Sequence, residues 1–122
     1  MYDHVGLRVK NLDASARFYE AALAPLGHVL GSRDASGAGL GPKDAPALWL
    51  TPGKQGKNNG AHIAFRAKDR VSVDRFHAAG LQADGRDNGS PGPRPDYGAA
   101  YYAAFLIDPD GNNVEAVCLA KE

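Results

Sequence analysis

Cysteine is almost missing from this chain, and so is any excess of one charge. Cys118 is the single thiol, so no disulfide can close within the chain, and its place in the apolar run Val114 to Leu119 suits a small buried hydrophobe. Lys+Arg and Asp+Glu number 14 each, so no overall field draws in nucleic acid or an anionic membrane surface. No apolar stretch approaches the roughly 20 residues that span a bilayer. Met1 leads straight into polar-apolar alternation, without a basic segment followed by an apolar one. These absences predict a cytoplasmic protein whose partner is a small molecule or a second copy of itself.

Two chemical signatures are missing as well. Gly37-Ala-Gly39-Leu-Gly41 follows no clear strand and opens no convincing helix, so it is not read as a phosphate loop. Ser15 and Ser90 lack the flanking pattern of a nucleophile elbow, and Cys118 has no histidine beside it in sequence. What is left is metal chemistry or simple binding.

What the chain does contain is repetition. Its 122 residues, 43% of them hydrophobic, suffice for one domain over 1–122. Asp3-His-Val-Gly-Leu-Arg-Val-Lys10 can be laid over Ala61-His-Ile-Ala-Phe-Arg-Ala-Lys68 without a gap, and the match continues with Arg17 and Arg75, Phe18 and Phe76, and Ala21 and Ala79. The domain therefore divides into halves of approximately 1–53 and 60–122, joined by a Gly-, Lys- and Asn-bearing linker from Pro52 to Gly60.

Each half opens with strict alternation, the mark of a strand with one buried face. Val5, Leu7 and Val9 oppose His4, Gly6 and Arg8; Ile63 and Phe65 oppose His62, Ala64 and Arg66. A helix follows each strand. Asn11 or Asp13 caps the first, with Phe18, Tyr19, Ala22, Leu23 and Leu26 on one side; Asp69 caps the second, with Val73, Phe76 and Ala79 at helical spacing. Gly27 and Gly80 read as their stops. Strand-like stretches come next: Val29 to Ser32, a weak one near Gly39 to Leu40, and Ala47 to Thr51, then Leu81 to Ala83, Ala99 to Asp108 and Asn113 to Leu119. Asp108-Pro-Asp-Gly111 forms a turn between the last two, and Asp84 to Gly98 is too rich in Gly and Pro for regular structure. The expected fold is α+β: two βαβββ modules forming a curved mixed sheet, helices on its outer face and a concave metal or ligand cup on the other.

That cup would carry His4, His62 and, from a later strand, Glu115. Two imidazoles and one carboxylate form a facial triad with open positions, suited to Zn, Ni, Co, Mn or Fe(II). Trp49, Tyr101 and Tyr102 offer flat surfaces with a polar handle for a substrate; the two tyrosines are consecutive in a strand, so at most one faces the cup. Arg8 and Arg66 on the histidine faces, and Arg94 in the long loop, would suit a substrate carboxylate or phosphate. His28 and His77 read as surface residues.

Nearly the whole chain resembles the vicinal oxygen chelate superfamily, the glyoxalase, bleomycin-resistance and extradiol dioxygenase proteins. The likeness rests on Asp3-His-Val-Gly-Leu-Arg-Val, Ser15-Ala-Arg-Phe-Tyr19, Ala61-His-Ile-Ala-Phe65, and Asp108-Pro-Asp-Gly-Asn112 followed by Val114-Glu115. It implies metal ligands at His4, His62 and Glu115, with Glu115 also in a catalytic role, and a fourth ligand position in the Ala47 to Thr51 strand. There the chain departs from the glyoxalase I pattern, having Trp49 where a carboxylate is expected. The resemblance implies a metal-dependent lyase or isomerase acting on vicinal oxygens, with a bleomycin-resistance-type binding protein and an extradiol-type dioxygenase as the alternatives. It also implies a homodimer, in some relatives one that exchanges halves so that each site draws on two chains.

Overall fold

The alternation that opens each half becomes an edge strand, and the rest of each half is assembled beside it. The computed structural model describes residues 1–54 and 60–122; the middle of the expected linker, 55–59, lies outside the described residues. The first half contains β1 (Val5–Val9), α1 (Leu12–Leu23), a 3-10 turn (Ala24–Leu26), β2 (Val29–Asp34), β3 (Gly37–Gly41) and β4 (Leu48–Pro52). The second repeats that order with β5 (His62–Arg66), α2 (Arg70–Gln82), β6 (Arg86–Pro93), β7 (Tyr102–Ile107) and β8 (Asn113–Cys118). The α+β architecture of two βαβββ modules is the one the repeat implies.

Each module carries its own four-stranded mixed sheet, ordered β1-β4-β3-β2 and β5-β8-β7-β6. The first strand of each module pairs in parallel with the last, and the remaining pairs are antiparallel. The two registers correspond. Gly6 stands opposite Trp49 and Trp49 opposite Gly39; Ala64 stands opposite Glu115 and Glu115 opposite Phe105. Trp49 and Glu115 thus hold the same place in the repeat.

The helices begin where their caps predict. The Asn11 side chain accepts from the Ala14 amide and the Asp69 side chain from the Ser72 amide. Gly27 closes the 3-10 turn at a φ of 91°, a left-handed conformation that glycine adopts without strain. One buried cluster then runs through both halves, with Val9, Phe18, Tyr19, Leu50, Val73, Phe76, Leu106 and Val114 all inaccessible or nearly so, and Cys118 among them. Each such side chain contributes about 1.5–3 kcal/mol through burial.

Three expectations need correction. Gly80 does not stop α2. It lies inside that helix, where a Cβ would come within 2.3 Å of Leu106 Cδ1 and 3.4 Å of the Phe18 ring, so the glycine serves close packing. The helix ends after Gln82, near Asp84, which takes a positive φ of 71°. Leu81 to Ala83 is accordingly the last turn of α2 and not a strand. Finally, much of the supposed loop from Asp84 to Gly98 is β6, which pairs with β7 through register shifts between Asp87 and Gly89 and between Gly89 and Gly92. An edge strand pairs on one side only, so it tolerates Pro91 and Pro93 where a central strand would not.

Candidate metal centre and substrate face

From Val114 to Cys118, strand β8 is apolar except at one point. Glu115 is flanked by the fully buried Val114 and Ala116 and is itself only 3% exposed. A buried carboxylate needs partners, and it has two. Its Oε2 accepts from the Tyr101 hydroxyl, and its Oε1 lies 3.1 Å from His62 Nε2. The Tyr101 phenol is pushed up to about 12, first by that bond to Glu115 and then by burial.

The other His62 nitrogen settles the tautomer. Nδ1 lies 3.1 Å from the backbone carbonyl of Asn113, and a carbonyl can only accept, so Nδ1 carries the hydrogen. A neutral ring then turns the Nε2 lone pair toward a carboxylate, an arrangement that calls for positive charge between them: a proton, or a metal ion shared by both atoms. A backbone carbonyl behind the ring and a free lone pair in front is the usual posture of a metal-bound histidine. The donor set at this point fits a divalent ion with imidazole and carboxylate ligands.

His4 stands apart from this pair. Its Nδ1 lies 2.7 Å from Asp3 Oδ1, with the side chain 59% exposed, and no group of three histidine, cysteine or acidic side chains forms among the described residues. Trp49, 37% exposed, lies flat over Gly39, where an added Cβ would meet the indole at 2.6 Å. The aliphatic part of Arg8 lies against Gly53. Arg66 is exposed at the far end of β5, opposite Val117.

The remaining aromatic and basic side chains divide between two faces. Tyr102 turns to the helix side, its hydroxyl donating to Asp74 at 2.6 Å with Arg70 over its ring; Tyr101 is the tyrosine on the Glu115 side. Phe105 stacks beside His62 at 6.3 Å between ring centres, and Arg94 lies 5.5 Å above the Phe105 ring. Tyr97 meets Tyr101 edge-on at 5.3 Å. Phe105 and Tyr97 were not singled out from sequence. Phe105 was within reach, because counting outward from the Asp108 to Gly111 turn sets it opposite Glu115; Tyr97 had no such signal.

Both remaining histidines are less exposed than expected. His77 is buried between α2 and β6, with Nε2 2.9 Å from Asp87, because the stretch holding Asp87 is a strand. His28 is half-buried, its Nδ1 lacks a partner, and burial lowers its pKa. It borders an apolar cleft of about 220 Å³ between the halves, lined by Val5, Leu23, Leu48, Ile63 and Phe65.

Paired βαβββ modules, with a histidine set against a buried carboxylate on the polar face of one sheet, define a class of two-module α+β proteins. The chain belongs to the Glyoxalase/Bleomycin resistance protein/Dioxygenase superfamily, whose model matches residues 2–116. It is similar to a glyoxalase/bleomycin resistance protein from Albidiferax ferrireducens T118, at 32% identity and a TM-score of 0.81 over 97% of this chain and 98% of that one. A glyoxalase-related enzyme from Fulvimarina pelagi shares the fold at 18% identity, with a TM-score of 0.72 over 93% of this chain and 84% of the other. A V278E mutant of glyoxalase I from Zea mays matches at 25% identity and a TM-score of 0.69, over 95% of this chain but 43% of the maize chain. No curated protein matches. Among the described residues, no helix is long and apolar enough to cross a membrane.

Proposed function

We propose that this protein is a divalent-metal-dependent enzyme of the lyase or isomerase type, acting on a small substrate with vicinal oxygens. His62 and Glu115 hold the ion together with His4 of the partner subunit in a homodimer. The observation that carries this reading is the 3.1 Å approach of His62 Nε2 to the buried Glu115 carboxylate, in the tautomer imposed by the Asn113 carbonyl.

Two strand edges support the dimer reading. Strands β1 and β5 each pair on one side only, and such edges are templates for further pairing. His4 and His62 hold equivalent positions in the repeat, so the β1 edge of one copy set beside the β5 edge of another brings the two imidazoles together about a local pseudo-twofold axis, and the twofold of the dimer makes two such sites.

A bound divalent ion polarises a substrate carbonyl or steadies an enediolate. Tyr101 fixes Oε2 of Glu115 and thereby aims Oε1, while the Asn113 carbonyl aims His62. With an indole at the position equivalent to Glu115, one carboxylate is available here in place of two, and Glu115 is assigned both ligation and proton movement.

A second reading has its own support. The half-exposed Trp49 ring over Gly39 is a stacking platform that a bleomycin-resistance-type binding protein would use without metal. Metal content of the untagged protein by plasma mass spectrometry, before and after chelation and reconstitution, separates the two. Near-stoichiometric zinc, nickel, cobalt or manganese, lost in His62→Ala, is expected; iron would favour the extradiol-type dioxygenase, and no metal under any condition would favour the binding protein.

A further inference from the structure

We infer that the substrate of this site carries a carboxylate and that Arg94 receives it. The inference rests on the reading above only in taking the face of His62 and Glu115 as the substrate face. A guanidinium has five N–H donors. Arg94 Nη1 spends two on the carbonyls of Gly92 and Pro93, and Nη2 spends one on the carbonyl of Ser90. The Nε–H and one Nη2–H are left over as donors that a carboxylate can accept from.

Those three carbonyl bonds hold the cation in place without neutralising it. No carboxylate lies within ion-pair distance of Arg94 among the described residues. The segment that carries it is tied down as well: the Arg94 amide donates to the Tyr101 carbonyl at 2.8 Å, and the Tyr97 amide to the Arg94 carbonyl at 2.9 Å. A fixed, half-buried arginine with an open edge is preorganised for an anion, because the cost of ordering the side chain is met in folding.

Its position supplies the rest of the substrate's description. The Phe105 ring is the shared neighbour of Arg94 and His62, and Tyr101, in edge-on contact with Tyr97, donates to Glu115 on the same face. A molecule with its anionic end on Arg94 would lay its body along Phe105 and bring its other end to His62 and Glu115. The class that fits is a small carboxylate with a flat or apolar body and oxygens at the far end. The charge of Glu115 does not repel it unopposed, since the Tyr101 hydroxyl donates to one of its carboxylate oxygens.

Benzoate and its uncharged counterpart benzamide test this in metal-free protein of the full chain, followed by the Arg94 Nε–H resonance. Benzoate is expected to shift that signal and to bind at least about tenfold more tightly than benzamide. Arg94→Gln should bring the two within about twofold of each other, through a loss that falls mainly on benzoate. Equal binding by the native protein, a benzoate preference that survives in Arg94→Gln, or no binding of either probe overturns the proposal. So does equal loss of both probes in the variant, which would make Arg94 a brace for its loop. The assay contains no metal, so a negative result leaves the His62 and Glu115 reading to be decided by metal content.

Discussion

The Tyr19 hydroxyl donates to the Asp108 carboxylate at 2.5 Å, joining the middle of α1 to the turn between β7 and β8. The two residues belong to different halves, and neither is more than 2% exposed. Asp108 also orders its own turn, accepting from the amides of Asp110 and Asn112 and from the Asn112 side chain. Asp110 completes the tie by accepting from Ser15 Oγ at 3.0 Å and from the Lys10 amide at 2.9 Å. The turn motif therefore does more than reverse the chain: it clamps the second module onto the first helix.

Tyr19→Phe should cost about 1–3 kcal/mol, because Asp108 stays buried with one donor fewer. Asp108→Ala should cost more, since two amides and the Asn112 side chain lose their acceptor together. Urea unfolding checks both: the midpoint should fall in that order at unchanged slope. An unaffected midpoint in Tyr19→Phe would show that the clamp contributes nothing.

Gly80 gives a prediction in which two effects have opposite signs. Glycine inside a helix is about 1 kcal/mol worse than alanine, so Gly80→Ala would stabilise an exposed helix. Here the new methyl meets Leu106, itself fully buried, and overpacking of a core costs about 1–3 kcal/mol. Net destabilisation is expected, read as a lower melting temperature; a rise would mean that the Leu106 side chain has room to move aside.

The same glycine shows where sequence reasoning stops. Periodicity and caps located β1, β5 and both helix starts, because alternation and an Asn or Asp side chain act on their immediate neighbours. Gly80 and Asp84 resist such reasoning, since whether a glycine ends a helix or admits a neighbour depends on which ring packs over it, and Phe18 is far away in sequence. Strand β6 stayed hidden because its Gly and Pro content is that of a loop, and only its place at a sheet edge makes it tolerable. At the site, alternation put His62 on the polar face and the apolar setting of Glu115 marked it. The bond from Tyr101 depends on a segment whose path local pattern does not specify.

Tyr101 carries the pH prediction. An unfolded tyrosine ionises near 10, and in the fold Tyr101 is held at about 12 by its bond to Glu115. A raised acid pKa favours the protonated form, so the bond contributes fully below pH 10 and is lost as pH climbs toward 12. Tyr19 and Tyr102 are raised as well, by burial and by the bond to Asp74 respectively, so absorbance at 295 nm should show a high-pH tyrosine component from which a step near 12 is lost in Tyr101→Phe. Removing a group that aims a ligand typically costs about 10–100-fold in metal affinity. Tyr101→Phe should fall in that range and Glu115→Gln beyond it, by chelator competition with both variants folded; unchanged affinity in folded Glu115→Gln would remove Glu115 from the centre.

Whether the centre spans two chains can be decided by mixing variants that are each inactive. In a shared site, His4→Ala and His62→Ala homodimers both lack a ligand at every position. In a heterodimer of the two, one site loses both histidines while the other draws His62 from the His4→Ala chain and His4 from the His62→Ala chain, and is intact. Random re-pairing of equal amounts makes half the dimers mixed, so about a quarter of the native metal content should return. If each site were built within one chain, every site in the mixture would still lack one histidine and no metal would return. Recovery at that level would establish that a single copy is incomplete and that each site draws His4 from one chain and His62 from the other.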